Sequence, residues 1–425
     1  MKKKMTLLCL LAGLLLAACT PAQEAGKTTG KEQEEMKKQE SGQTSREEIT
    51  IDEIGSLSSY GQGEWLEGKD GKKYYRNTGT FYDAFDTVIM LTMYTDSEED
   101  FEKYFNLAKE EFRRLHDLYD QYNAVDGVNN VNTINAMAGK EPVKVDEDLY
   151  NLIAFSKEYY EAALGKTNIA MGGVLRLWHD AREKAGYVSE GEIVQGENAQ
   201  SVAESSGDLP PLPEGEIPTM EALKEAEQHT DINKVLLNDA DRTVYLEDPK
   251  MSIDVGAVAK GYATQLVAER LEEAGLNYAL ISAGGNIKTV GAKPLDDGNW
   301  IVGIQDPVAL SDYIASMPIS GGYSVVTSGD YQRFFMYKGE KYHHLIDPKT
   351  LLPGRYYPSV SVITEDSGLA DLLSTALFLS TREEAEEIID NVKAIRPEAD
   401  IEAVWINFDL KLETSPGLTE KLKEK

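Results

Sequence analysis

Tyr278-Ala279-Leu280-Ile281-Ser282-Ala283-Gly284-Gly285-Asn286-Ile287-Lys288-Thr289-Val290 reads as two short strands folded back on each other. The glycine pair between the apolar runs supplies the positive φ that a tight hairpin needs. Working outward, Thr87 to Tyr94 is a further strand, and Val235 to Leu246 is a strand pair around the Asn238-Asp239-Ala240-Asp241 turn. Another pair flanks Gly339, Ser359 to Thr364 alternates as a strand, and Ala403 to Phe408 closes the series. Between them lie helical patterns. In Glu99 to Tyr122, Phe101, Tyr104, Phe105, Ala108, Phe112, Leu115, Leu118 and Tyr119 recur at three- and four-residue spacing. Glu147 to Ala163, Ala257 to Ala274 (ended by Gly275), Leu369 to Leu379 and Arg382 to Val392 complete the set. Hairpins with intervening helices predict an α+β fold, a mostly antiparallel sheet covered by helices in one domain.

The amino terminus carries an address. Lys2, Lys3 and Lys4 precede a short apolar core, Leu7 to Ala18, and then Leu16-Ala17-Ala18-Cys19. The core is too short to span a bilayer and reads as a signal peptide over 1–18. Small residues before a cysteine form a lipobox pattern. The expectation is cleavage before Cys19, acylation of its sulfur (palmitate among the chains), and an anchored protein on the extracytoplasmic face of the cell membrane. Residues 19–75 are expected to hold this lipidated cysteine and a polar tether, whose first part, to about residue 50, has almost nothing apolar to bury. The catalytic domain is expected over 76–425. An acidic insertion carrying four prolines interrupts it at about 189–218.

Composition excludes several chemistries. Cys9 and Cys19 are the only cysteines, and both belong to the leader and anchor. Disulfides, thiolate zinc sites, iron–sulfur clusters and a cysteine nucleophile are thereby excluded. A formal net charge of −30 argues against nucleic acid as a partner. It also requires any phosphorylated ligand to find locally positive ground or a divalent cation.

Polar groups gather in apolar surroundings near the carboxyl end, in Thr327-Ser328-Gly329-Asp330-Tyr331, Tyr342-His343-His344-Leu345-Ile346-Asp347-Pro348 and Leu369-Ala370-Asp371-Leu372-Leu373-Ser374-Thr375. Asp371 and Thr375 lie on one helix face. They read either as hard oxygen ligands for magnesium or calcium, or as a capping Asp with a Thr bonded back to a carbonyl. Asp254-Val255-Gly256-Ala257-Val258-Ala259-Lys260-Gly261 reads as a strand end, a turn and a helix start. Amides and Lys260 there suit an anion, though glycine packing explains the pattern as well. Of His343 and His344, at most one faces a site; it is either a proton acceptor oriented by an adjoining carboxylate or a satisfied core residue.

These separated motifs, in this order, resemble the ApbE family of FAD:protein FMN transferases. The resemblance covers about residues 80 to 415 and implies a magnesium-dependent transfer of FMN from FAD to a Thr or Ser hydroxyl of an acceptor protein through a phosphoester, with AMP leaving. The acceptor is often a subunit of a membrane redox pump. By motif, Asp371, Thr375 and the carbonyl of Ala257 would hold Mg2+, and His344 would be the base. FAD would contact Asp254, Lys260, Ile346, Tyr122, Phe85, and Asn168, Ala170 and Met171. The chain departs from the family where Asp-Pro-Thr-Val-Gly-Pro-Leu is replaced by Asn168-Ile169-Ala170-Met171-Gly172-Gly173-Val174, and where Met-Gly-Thr becomes Phe85-Asp86-Thr87. With water as the acceptor the same chemistry would hydrolyse FAD to FMN and AMP; a flavin-binding lipoprotein without turnover is the other alternative.

Overall fold

The computed structural model describes residues 58–189, 192–195 and 212–425. Signal peptide, Cys19 and most of the tether lie outside them, as does much of the 189–218 insertion. Ten strands form the principal sheet: β1 (Ser58–Tyr60), β2 (Glu64–Glu67), β3 (Lys73–Ala84), β4 (Thr87–Thr95), β5 (Ala279–Ala283), β6 (Asn286–Val290), β7 (Ser324–Gly329), β8 (Ser359–Thr364), β9 (Glu402–Ile406) and β10 (Leu412–Thr414). The order is β1-β3-β4-β5-β6-β7-β8-β9-β10, with β2 paired beside β1 on β3. Each pairing is antiparallel, as the opening hairpin predicts. The β5–β6 turn pairs Ala283 with Asn286, and Gly284 and Gly285 both take positive φ, at 56° and 85°.

Two features adjust the sequence reading. The expected boundary at 75/76 falls inside β3, and β1 and β2 upstream already belong to the sheet. Tyr60 ends β1 and closes over the helix beneath, with its ring 5.3 Å from Phe101 and 5.4 Å from Phe105 and its hydroxyl donating to Glu102 at 2.9 Å. The segment holding His343 and His344 is not a strand; it follows the short strand Glu340–Tyr342.

Six helices matter here: α1 (Glu98–Tyr119), α2 (Glu147–Glu158), α3 (Gly172–Ala185), α4 (Ala259–Glu273), α5 (Ser367–Phe378) and α6 (Arg382–Ile395). α1 begins at Ser97, whose hydroxyl accepts from the Asp100 amide at 3.0 Å, and it buries the predicted stripe. It stops three residues short of Tyr122 because the Asp120 carboxylate captures the amides of Tyr122 and Asn123 at 2.6 and 3.0 Å. α2 stops at Glu158, before Leu164 and Gly165 turn the chain with φ of 50° and 68°. Every residue of α5 is buried, its polar Ser367, Asp371, Ser374 and Thr375 included. It packs on α4 and on strands β7 and β8, and β8 is itself buried at every position. A site built between α4 and α5 therefore rests on fully buried elements.

Candidate active site

The α4–α5 contact is closed by one bond: the Gly261 amide donates to Asp371 Oδ2 at 2.7 Å. Glycine is required at 261, because a Cβ there would stand 2.2 Å from the Ser367 carbonyl oxygen and 2.4 Å from the Asp371 Cβ. Asp371 is 4% exposed and Thr375, one turn on, 6%. The α5 cap is Asp366, which accepts from the Leu369 amide at 3.0 Å, so Asp371 is not a capping residue. The back-bond inside α5 belongs to Ser374, donating to the Asp371 carbonyl at 3.0 Å, while Thr375 Oγ1 meets Ser328 Oγ of β7 at 3.3 Å. The capping alternative thus fails for Asp371, and the back-bond expected of Thr375 is made by its neighbour. Burial raises the Asp371 carboxyl above the usual carboxylate range, against the pull of the Lys260 ammonium, the Gly261 amide and the Asn286 amide. The Asn286 side-chain nitrogen is buried without a well-formed hydrogen bond of its own. Ala257 sits four residues before Gly261 in the turn that leads into α4.

Asp254 anchors that turn. Its Oδ1 accepts from the Gly256 amide at 2.8 Å and its Oδ2 from Gln121 Nε2 at 2.7 Å. Burial raises its pKa, opposed by these bonds and by Arg182. The Asp254 amide donates to the Ile169 carbonyl at 2.8 Å, which binds the 168–171 segment to the turn. Asn168 has its side chain committed, accepting from the Ala170 amide at 2.9 Å and donating to the Thr230 carbonyl at 2.8 Å. Met171 and Ile346 pack in one apolar cluster with Trp178 and Phe335, and Ala170 is buried beside them in sequence. Tyr122 follows Gln121, is 41% exposed, and stacks on His179 at 4.4 Å with the Arg176 guanidinium 5.4 Å from its ring.

The two adjacent histidines separate cleanly. His343 is core: Nε2 donates to the Gly354 carbonyl at 2.8 Å and Nδ1 accepts from the Leu345 amide at 3.2 Å, a neutral tautomer held at both ends. His344 turns the other way, and its Nδ1 has no partner among the described residues. Burial, then Arg333, Arg182, His343 and Lys260, holds its pKa well below the usual imidazole value, so it is neutral at neutral pH. The carboxylate expected to orient it does not. Asp347 spends Oδ1 on the Lys349 amide at 2.8 Å and Oδ2 on the Tyr356 hydroxyl at 3.5 Å.

The Lys260 ammonium pulls the Asp371 carboxyl and the His344 imidazole both downward in pKa. Phe85 stands apart from this group. Its ring packs edge-on against Phe112 and His116 and tilted against Tyr119. Phe85 and Asp86 nevertheless occupy both central positions of the β3–β4 turn with φ of 57° and 49°, a conformation that side chains resist. A cavity of about 340 Å3 touches Asn168, Met171 and Pro348 but none of Asp254, Lys260, His344 or Asp371. Among the described residues, no group of three or more His, Cys, Asp and Glu is arranged to hold a metal ion. Sequence reasoning missed Gln121, Asn286, Ser328, Arg182 and Arg333. Ser328 and Asn286 lay in quoted motifs without a role, whereas the other three carry no local signal.

The sequence pattern of the ApbE family matches residues 85–397. The chain belongs to the ApbE family. A FAD:protein FMN transferase of Treponema pallidum (strain Nichols) is 31% identical over 301 residues, covering 68% of this chain and 73% of the relative. One of Klebsiella pneumoniae (strain 342) is 29% identical, covering 66% and 76%. Among solved structures, the ApbE protein of Thermotoga maritima superposes with a TM-score of 0.64 at 25% identity over 83% of this chain and all of that one. The flavin transferase ApbE of Vibrio cholerae shares the fold, with a TM-score of 0.61 at 20% identity over 84% and 99%.

Proposed function

We propose that this ApbE-family chain is a FAD:protein FMN transferase. It moves the FMN part of FAD onto a Thr or Ser hydroxyl of an acceptor protein, forms a phosphoester and releases AMP. The observations that support the reading are a buried acid, Asp371, held on α5 by the Gly261 amide of α4 at 2.7 Å, and a buried imidazole, His344, whose Nδ1 has no partner among the described residues. A hydroxyl is a poor nucleophile and needs a base within reach; phosphoryl transfer otherwise asks mainly for position and charge neutralisation.

The donor set suits magnesium. Asp371, Thr375 and the Ala257 carbonyl are hard oxygens, and desolvation already penalises the Asp371 charge in a way that a cation would relieve. These residues would hold the ion, and magnesium when bound supplies positive charge against the pyrophosphate. The chain's own groups do the rest. Asp254 fixes the turn ahead of α4, Lys260 adds a cation, and the Met171–Ile346 cluster gives an apolar wall. The His344 imidazole accepts the acceptor's hydroxyl proton. Placement outside the cytoplasm, lipid-anchored through Cys19 to the cell membrane, is part of the same proposal; it is supported by the leader pattern and suits an acceptor that is itself a membrane redox subunit.

The test is to co-express the chain with a flavinylated-type acceptor and read covalent flavin by in-gel fluorescence and mass. Wild type is expected to add FMN to one Thr or Ser, and Asp371→Ala to add none. Full labelling by Asp371→Ala removes the metal assignment. Rapid AMP release without acceptor, and no adduct with it, replaces the transferase with a hydrolase.

A further inference from the structure

In a chain of net charge −30, two arginines beside the site stand without counter-ions. Among the described residues no carboxylate lies within ion-pair distance of Arg182 or Arg333, whereas Arg113, Arg114, Arg270 and Arg396 are all paired. The fold brings the two together. Val188, just past the end of α3, pairs with Phe334 through two backbone bonds, Val188 N to Phe334 O at 2.8 Å and Phe334 N to Val188 O at 3.2 Å. That bridge sets the residue before Phe334 beside the end of α3. Arg182 lies 5.4 Å over the Tyr187 ring, with Nη2 3.1 Å from His179 Nδ1 and Nε buried without a partner. Arg333 is held with φ at 49°, and its Nη2 approaches the Asp86 carbonyl at 3.5 Å.

Their fields converge on the site. Each guanidinium depresses the basicity of His344, and Arg182 also acts on Asp254 and Tyr122. Each disfavours the other's neighbourhood, since Arg333 lowers the pKa of Arg182 after burial does. A desolvated guanidinium at Arg182 beside a second like charge, and an orphaned N–H, are costs that an arriving anion offsets. We propose that Arg182 and Arg333 form a paired guanidinium subsite for the phosphates of the dinucleotide substrate. A dianionic pyrophosphate matches two forks better than a single carboxylate does.

The proposal rests on the transferase reading. In that reaction the acceptor oxygen bonds to the flavin-side phosphorus while the bond from that phosphorus to the bridging oxygen breaks. The hydroxyl proton passes to His344, and the electron pair leaves on the AMP phosphate. The arginine pair neutralises the charge that gathers there.

The test titrates the whole protein, without acceptor, with FAD, riboflavin and inorganic pyrophosphate, for wild type, Arg182→Met, Arg333→Met and Arg182→Lys, at two salt concentrations. Each methionine variant should weaken FAD and pyrophosphate by about 10-fold or more, with riboflavin changed less than about 2-fold and the salt dependence reduced; lysine should restore part of the loss. The ligand-free Arg182→Met protein should melt no lower than wild type, because a repulsion has been removed. Equal weakening of FAD and riboflavin, or a fall in melting temperature, makes the arginines structural and overturns the subsite. Unchanged FAD and pyrophosphate binding in both methionine variants overturns it too. A wild type that binds FAD in this arginine-dependent way but never labels an acceptor defeats the transferase reading and leaves the subsite standing.

Discussion

Gly261→Ala adds one methyl group where α4 meets α5. The new Cβ would sit 2.2 Å from the Ser367 carbonyl and 2.4 Å from the Asp371 Cβ, and neither neighbour is the free end of a flexible side chain. Relief to ordinary contact needs more than 1 Å of helix separation, in a core where α5 is buried all round. Overpacking of this kind costs about 1–3 kcal/mol. With an unfolding entropy of about 2.1 cal/mol/K per residue over Ser58–Lys425, 3 kcal/mol lowers Tm by about 4 °C. The larger effect is on activity, because the same displacement stretches the Gly261–Asp371 bond of 2.7 Å; misplacement by about 1 Å costs about 100-fold in rate. The assay is calorimetric melting together with in-gel flavin transfer. Gly173→Ala is the control: the nearest atom to its new Cβ is Ala226 Cβ at 3.8 Å, and the substitution should leave Tm equal or raised and transfer intact. If Gly261→Ala melts with wild type and labels its acceptor at full rate, the helix contact is not what positions Asp371.

Replacing His344 with Gln should slow transfer by about 100-fold or more while FAD affinity changes little; loss of FAD binding would reassign the residue to a binding role. Burial holds His343 at about 3, and the unfolded imidazole titrates near 6.5, so its contribution to stability is complete above about pH 6.5 and falls as the pH drops towards 3. Denaturant unfolding of wild type against His343→Gln should diverge by about 1.4 kcal/mol per pH unit in that window, and parallel curves would show that the residue is protonated in the fold. Lys166, 6% exposed, donates to the Leu379 carbonyl at the end of α5 at 2.7 Å and pairs with Glu384 at 3.2 Å. Lys166→Met should cost about 1–3 kcal/mol in urea unfolding, and a change under a few tenths would show that water already satisfies that carbonyl.

The sheet was readable where sequence and pleat agree locally. Gly284-Gly285 announces its hairpin, Ser359–Thr364 is found as β8 with the predicted ends, and the α1 stripe is buried as read. What escaped depended on distant partners. β3 goes unannounced because Lys73–Ala84 mixes polar and aromatic residues on both faces, and it becomes a strand only when β1, β2 and β4 pair with it. α3 begins at Gly172-Gly173, a pair that reads as a breaker; Gly172 is there because a Cβ would meet the Ser252 carbonyl oxygen at 2.5 Å. Asp371 and Thr375 are legible by spacing as one face of one helix, and the structure buries both there. Arg182 and Arg333 lie on unrelated segments, and only the Val188–Phe334 bridge reveals that they are neighbours.

Tyr60 gives the domain a mechanical latch. β1 holds to β3 through three residue pairs at the sheet's margin, and two of its three residues are serines with little to grip. Any tension carried along the chain from upstream of Ser58 arrives at this short strip first. It meets resistance where the tyrosine ring packs edge-on against the stacked Phe101 and Phe105 and is tied to Glu102. A tug therefore peels three residue pairs before the load meets one aromatic clasp on α1.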